Sequence, residues 1–142
     1  MTNPENILNE VNKGIKMGMD AISNISTKVQ DTNLRDDLLF QYEKYNEILN
    51  QVNAELKNCG NFPKELNPMQ KAFGWMSVEF NTLEDKSDSK IAEMMIQGSS
   101  MGIINGVKLL NQNPEASAPV KQVLNKFVES QQNNMEQLKK YL

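Results

Sequence analysis

The sequence contains no histidine. The imidazole side chain is the most common general base in enzymes and a frequent ligand of transition metals. Its absence removes every histidine-containing catalytic triad and the usual nitrogen donor for iron, copper or zinc. Enzymes that depend on these groups are therefore disfavoured.

Cysteine, arginine and long apolar runs are also scarce. Cys59 is the only cysteine, so no disulfide can form within the chain, which fits a reducing cytoplasm. Arg35 is the only arginine and the net charge is −3, which argues against binding of nucleic acid. No apolar run approaches the roughly 20 residues of a transmembrane helix, and the first residues lack the pattern of a secretory signal. We expect a cytoplasmic protein that does not insert into membranes.

The chain is rich in apolar residues at alternating spacings of three and four, which is the period of an amphipathic α-helix. Asn3, Asp31, Ser87 and Ser117 stand where such segments begin and are typical N-terminal caps. Gly60 follows the second segment and is typical of a helix end. Strand-type alternation is nearly absent, so the predicted fold class is all-α.

The sequence also contains an internal duplication. Two glycine-containing stretches align at an offset of 84 positions: Gly14, Met17 and Gly18 with Gly98, Met101 and Gly102. The helices that follow them align at an offset of 86, which pairs Tyr45 with Gln131. Because a buried tyrosine needs a partner for its hydroxyl, we expect a hydrogen bond between these two side chains. We also expect the two glycine stripes to face each other where their helices cross closely.

The duplication predicts a single domain, 1–142, built from two helical hairpins. Hairpin 1 covers 4–58, hairpin 2 covers 88–142, and a crossover at 61–87 joins them. The crossover contains a further amphipathic helix at 68–84, and a break follows this helix before hairpin 2 begins. The predicted architecture is an antiparallel four-helix bundle with an additional crossover helix.

This architecture is similar to that of the ferritin-like superfamily, in which two duplicated hairpins are joined by a long crossover. Within it the chain most resembles small uncharacterised bacterial proteins, including spore-coat-like ones. Di-iron members carry one glutamate on each of the first and third helices and Glu-x-x-His on the second and fourth. The matching stretches here are Glu43-Lys-Tyr-Asn46 and Glu129-Ser-Gln-Gln132. Asparagine and glutamine are poor ligands for iron, and both glutamates fall outside the apolar faces, so we expect them at the surface.

These observations favour a metal-free structural or protein-interaction module with no cofactor and no catalytic residue. Two alternatives stay open. The first is a ferritin-like oxidoreductase or metal-storage protein that binds iron or manganese through a carboxylate-only site containing Glu43 and Glu129. The second is a bundle that binds a small apolar molecule between its two hairpins.

The segment 68–84 carries more aromatic mass than any other window of the chain. Phe73 lies on the apolar face that a single bundle can bury, whereas Trp75 and Val78 project elsewhere. An aromatic side chain left at a surface is a typical interface anchor. We therefore expect a homodimer or a complex with a protein partner that involves these three residues. The alternative is that residues 58–67 of the same chain cover Trp75.

Overall fold

The computed structural model describes residues 3–60 and 87–142. Four long α-helices account for most of these two ranges: α1 (Pro4–Ser26), α2 (Thr32–Asn58), α3 (Asp88–Gln112) and α4 (Ala118–Leu138). A short 3₁₀ turn, Lys139–Tyr141, follows α4. No strand occurs within the described ranges, and the prediction of an all-α fold is confirmed.

Side-chain caps start the first helix of each hairpin at equivalent positions of the repeat. The side chain of Asn3 accepts a hydrogen bond from the backbone N–H of Asn6 at 2.9 Å. The Ser87 hydroxyl accepts one from the N–H of Lys90 at 3.3 Å. Each bond satisfies a backbone donor that the first helical turn leaves unpaired. Ser87 itself is not helical, and α3 begins at Asp88.

The second helix of each hairpin also begins at equivalent positions. Asp31 caps α2 by accepting from the N–H of Leu34 at 3.0 Å, and Ser117 occupies the cap position of α4. At the other end of α2, Gly60 has a φ of 72°, the left-handed conformation that glycine adopts at low cost. The offset of 86 positions between the two N-caps, Asp31 and Ser117, matches the one found by aligning the sequence.

The two hairpins pack against each other mainly through their second helices. α1 lies along α2, α3 lies along α4, and α2 contacts α4, whereas α1 makes less contact with α3 and α4. Aliphatic side chains from all four helices form one core, in which Phe127 is the largest fully buried side chain. Within the described ranges, no helix combines the length and the apolar character needed to cross a membrane.

The buried face of α2 is rotated slightly from the predicted one. The alternating spacing of three and four predicts a buried stripe on α2 that includes Tyr42 and Leu49, but both side chains are only partly buried. Gln41 and Ile48 are buried instead, on either side of Tyr45. The rotation follows from packing, because α2 contacts α1 and α4 at the same time and must bury a face between them.

The prediction that the glycine stripes of α1 and α3 face each other is wrong at Gly18 and Gly102. A Cβ built on Gly18 would lie 3.1 Å from the Tyr45 ring of α2, and one on Gly102 would lie 3.1 Å from Gln131 of α4. Each glycine therefore makes room for a large side chain of the other helix in its own hairpin. The helices within a hairpin are in more extensive contact than α1 and α3, so the small residues serve that contact.

α3 leaves some of its apolar residues uncovered. The apolar spacing of α3 predicts Met101 on its buried face, but this side chain is 43% exposed, and Ile104 and Val107 are exposed on the same side of the helix. The face of α3 that packs against α4 is the one carrying Gly102 and Gly106, which points Met101 outward. The predicted helix 68–84, with its candidate interface residues Phe73, Trp75 and Val78, lies outside the described residues.

Candidate functional site

α2 and α4 run antiparallel, as the side-chain hydrogen bonds between them show. Gln41 donates to Gln137 at 3.1 Å, and Lys126 donates to Gln51 at 3.2 Å. Residue numbers rise along α2 while those of the partners on α4 fall, which is the signature of antiparallel helices. The hairpins therefore meet along an antiparallel helix pair, in which each residue of α2 lies opposite a defined residue of α4.

The centre of this helix pair is a buried hydrogen-bonded pair, Tyr45 and Gln131. The Tyr45 hydroxyl donates to Oε1 of Gln131 at 3.0 Å, and Nε2 of Gln131 donates to the hydroxyl at 2.8 Å. Tyr45 is 2% exposed and Gln131 is fully buried. The predicted hydrogen bond between these repeat-equivalent residues is confirmed. Each side chain rests on a glycine of its own hairpin, Gly18 or Gly102, and these glycines are also equivalent in the repeat.

Burial controls the ionisation of the central tyrosine. Loss of hydration raises the pKa of Tyr45 from 10.0 to about 12, and the neighbouring amides of Gln131 and Asn134 oppose this shift only in part. The phenol therefore stays protonated at neutral pH, and the amide of Gln131 does not titrate. This pair can hold the two hairpins together, but it supplies neither a base nor a charged metal ligand at neutral pH.

The raised pKa predicts a loss of stability at alkaline pH. Because the folded protein holds the proton more tightly than the unfolded chain, the stabilisation is complete below pH 10 and disappears as the pH rises from 10 towards 12. We expect the free energy of unfolding, measured with denaturant, to fall across this interval. Loss of hydration and the hydrogen bond to Asp37 also raise the pKa of Tyr141, so that residue contributes in the same direction.

Phenylalanine variants separate the two tyrosines. Tyr141→Phe is expected to leave part of the alkaline decline in place, and Tyr45→Phe in that background is expected to flatten the rest. An alkaline decline that is the same size in the double variant as in the wild type would show that neither tyrosine causes it.

A second polar network lies between the central pair and the C-terminus. Gln137 accepts from Gln41 and donates to Asp37 at 3.1 Å. The other oxygen of Asp37 accepts from the Tyr141 hydroxyl at 2.5 Å and lies 3.0 Å from Nζ of Lys140. Asp37 is thus held by groups from α4 and the following turn, and this network ties the start of α2 to the end of hairpin 2.

A groove of about 610 Å³ runs along the outside of the α2–α4 pair. Most of the side chains along its walls are charged or amide groups. The lining residues are Phe40, Lys44, Glu47, Ile48, Gln51, Lys126, Glu129, Ser130, Asn133, Asn134 and Gln137. We call this surface the α2–α4 groove.

The α2–α4 groove lies on the pseudo-twofold axis of the duplication. Its α2 wall is formed at positions 40, 44, 47, 48 and 51. Its α4 wall is formed at 126, 130, 133, 134 and 137, together with Glu129, whose α2 equivalent Glu43 does not line the groove. Every position of the first set becomes a position of the second when the repeat offset of 86 is added. The two hairpins therefore contribute the same helical positions to the groove but different side chains, because the sequences of the two copies have diverged there.

The sequence-predicted candidates Glu43 and Glu129 are both exposed, as expected from their position outside the apolar faces. Glu129 lines the α2–α4 groove, whereas Glu43 does not. Asn46 and Gln132, which align with the histidines of di-iron ferritin-like proteins, are exposed as well. Over residues 3–60 and 87–142, no group of three or more carboxylate or thiol side chains is close enough together to hold a metal ion.

Sequence reasoning missed most of the groove. Phe40 and Lys44 lie off the apolar stripe of α2, so the helical period gave no reason to select them. A usable signal was nevertheless present, because the repeat alignment pairs Tyr45 with Gln131 and thereby fixes which positions of α2 and α4 stand opposite each other. The positions that line the groove lie within two turns of that pair along α2 and α4, on the outer side.

A solved structure has the same fold. The crystal structure of a DUF305 fragment from Deinococcus radiodurans superposes with a TM-score of 0.76, covering 98% of this chain and 95% of that chain. The sequence identity is 15%, so the likeness concerns the fold alone. No family model matches the chain, and no curated protein matches its sequence. The comparison agrees with the four-helix all-α architecture.

Proposed function

We propose that the protein is a non-enzymatic structural or protein-interaction module of ferritin-like architecture that associates with itself. The observation that carries this proposal is the Tyr45–Gln131 pair at the centre of the contact between the hairpins. At this position a neutral phenol and a neutral amide form hydrogen bonds with each other and so link the two hairpins. The surface above them, the α2–α4 groove, is left to contact other molecules.

The hairpin duplication supports the ferritin-like part of the proposal, because the equivalent caps and the pseudo-twofold helix pair follow that architecture. A relation to small bacterial, spore-coat-like proteins of this superfamily belongs to the same proposal. So does a cytoplasmic location, which the lone Cys59 supports.

The composition of the groove supports a protein partner. Among the described residues that line it, Phe40 and Ile48 are apolar, and the others are charged, amide or hydroxyl side chains. Protein interfaces combine one or two aromatic anchors with a polar rim.

The metal-binding alternative predicts a role for Glu43 and Glu129, and replacing both by glutamine tests it. Because both side chains are exposed, we expect the double variant to keep its far-UV circular dichroism and its metal content. The measurement is elemental analysis of iron and manganese in untagged protein, with the wild type purified in parallel. Stoichiometric metal in the wild type that is lost in the double variant would replace our proposal with metal storage or oxidoreductase chemistry.

Sedimentation equilibrium of the wild type tests self-association directly. We expect a mass above that of one chain at high micromolar concentration, falling towards the 16.1 kDa of one chain on dilution. A single species of one-chain mass at every concentration would contradict the proposal that the protein associates with itself.

A further inference from the structure

Phe40 is the feature of the α2–α4 groove that internal packing explains least. Its side chain is 51% exposed, and the neighbouring Leu39 is 45% exposed. The ammonium group of Lys44 lies 5.4 Å from the centre of the Phe40 ring, a cation–π contact that holds the ring at the groove wall. An exposed aromatic side chain fixed in one position is a suitable anchor for a partner, since little conformational entropy is lost on binding.

The charges of the groove are balanced. Lys44 and Lys126 line it together with Glu47 and Glu129, so the described lining residues carry equal numbers of positive and negative groups. A polyanion such as nucleic acid or an anionic lipid surface would meet as much repulsion as attraction here. The complementary partner is a surface that also carries both signs, at matching spacing.

The order of the charges along α2 makes the groove complementary to itself. Lys44 and Glu47 lie at equal distances from the midpoint of the α2 wall, which extends from Phe40 to Gln51. A second copy related by a twofold axis through that midpoint, perpendicular to the helices, presents its α2 antiparallel to the first. In this register Lys44 stands opposite Glu47 of the partner subunit, and Glu47 stands opposite Lys44 of the partner subunit.

The α4 wall fits the same axis. Its midpoint lies between Ser130 and Asn133, so Glu129 stands at the level of Asn134 of the partner subunit. Asn134 is 5% exposed, and its amide lies beside the Tyr45 hydroxyl. The carboxylate of Glu129 only accepts hydrogen bonds, so an amide side chain is a compatible neighbour for it at this level.

We propose that the α2–α4 groove is the interface of a twofold-symmetric homodimer, in which Lys44 of each copy pairs with Glu47 of the other. The inference rests on the proposed self-association and specifies the surface that carries it. A twofold contact uses the same patch on both chains, which is what a self-complementary charge pattern requires. The Phe40 side chains then lie at opposite ends of the interface, each at the level of Gln51 of the partner subunit.

A mixing experiment with two charge-reversal variants tests this pairing. Lys44→Glu leaves only glutamates at these two positions, and Glu47→Lys leaves only lysines, so each variant alone repels its own kind. Each is expected to have a homodimer dissociation constant raised about tenfold or more. Mixed in equal amounts, the two variants are expected to form a heterodimer as tight as the wild-type dimer. The readout is sedimentation velocity, with one variant carrying a fluorophore at Cys59.

The double variant Lys44→Glu/Glu47→Lys is the matched control for folding and helix stability. It keeps the ion pair between positions 44 and 47 within α2, which spans 3.5 Å in the wild type, and it restores complementarity between copies. It is therefore expected to dimerise like the wild type. If each single variant dimerises as well as the wild type, or if the mixture fails to form a heterodimer, the proposed interface is wrong.

A second control uses the other exposed apolar surface. Ile104 on α3 is 46% exposed, close to the value for Phe40, but lies outside the groove. We expect Phe40→Glu to abolish dimerisation and Ile104→Glu to leave it unchanged. The reverse result would move the interface to α3 and refute the groove while leaving self-association intact, whereas a monomeric wild type would refute both proposals.

Discussion

Gly106→Leu is expected to destabilise the protein by about 1–3 kcal/mol or more, because it overpacks the contact between α3 and α4. A Cβ at Gly106 would lie 2.6 Å from Cγ2 of Val128, a distance that real Cβ atoms do not tolerate. The rest of a leucine side chain would also meet the ring of Phe127, which is fully buried. Leucine has a higher helix propensity than glycine, which adds up to about 1 kcal/mol to the free energy of unfolding. This gain is too small to offset the clash. Thermal unfolding followed by circular dichroism measures the net effect.

Two variants identify the clash as the cause. Val107→Leu changes the next residue of the same helix, where the side chain is exposed, and is expected to alter stability by less than about 0.5 kcal/mol. Gly106→Ala is expected to cost less in a Val128→Ala background than alone, since Val128→Ala removes the methyl group in closest contact. Equal costs of Gly106→Ala in both backgrounds would mean that α3 moves away from α4 rather than pressing against this methyl group.

Gln131→Met is expected to cost about 1–3 kcal/mol of unfolding free energy, although methionine is similar in size to glutamine. The substitution leaves the hydroxyl of Tyr45 without its donor and its acceptor, in a place where the tyrosine is 2% exposed and no water replaces them at low cost. Denaturant unfolding at neutral pH gives the free energy directly.

The double variant Gln131→Met/Tyr45→Phe completes a thermodynamic cycle. Removing both polar groups leaves no buried donor or acceptor unsatisfied, so we expect the double variant to be more stable than Gln131→Met alone. Costs that simply add would show that each side chain stabilises the bundle independently, and that the central hydrogen bonds contribute little.

The sequence by itself determined the helices, their limits and the duplication. A helix cap such as Asn3, Asp31 or Ser87 acts on a backbone N–H three residues away, so its effect is local and can be recognised without knowledge of the fold. The repeat alignment is also a property of the chain alone. Because it paired Tyr45 with Gln131, it predicted the one long-range hydrogen bond that the sequence analysis named, and this bond is present.

Only the tertiary structure decided which surface meets each helix face. The period of an apolar stripe gives a direction around one helix axis, but it contains no information about the neighbour in that direction. For this reason the sequence identified Gly18 and Gly102 as points of close approach but not their neighbours. Gly18 packs against Tyr45, and Gly102 packs against Gln131. The sequence also leaves open which faces of α2 and α4 lie side by side to form the α2–α4 groove. Their relative rotation is fixed by packing around the whole core.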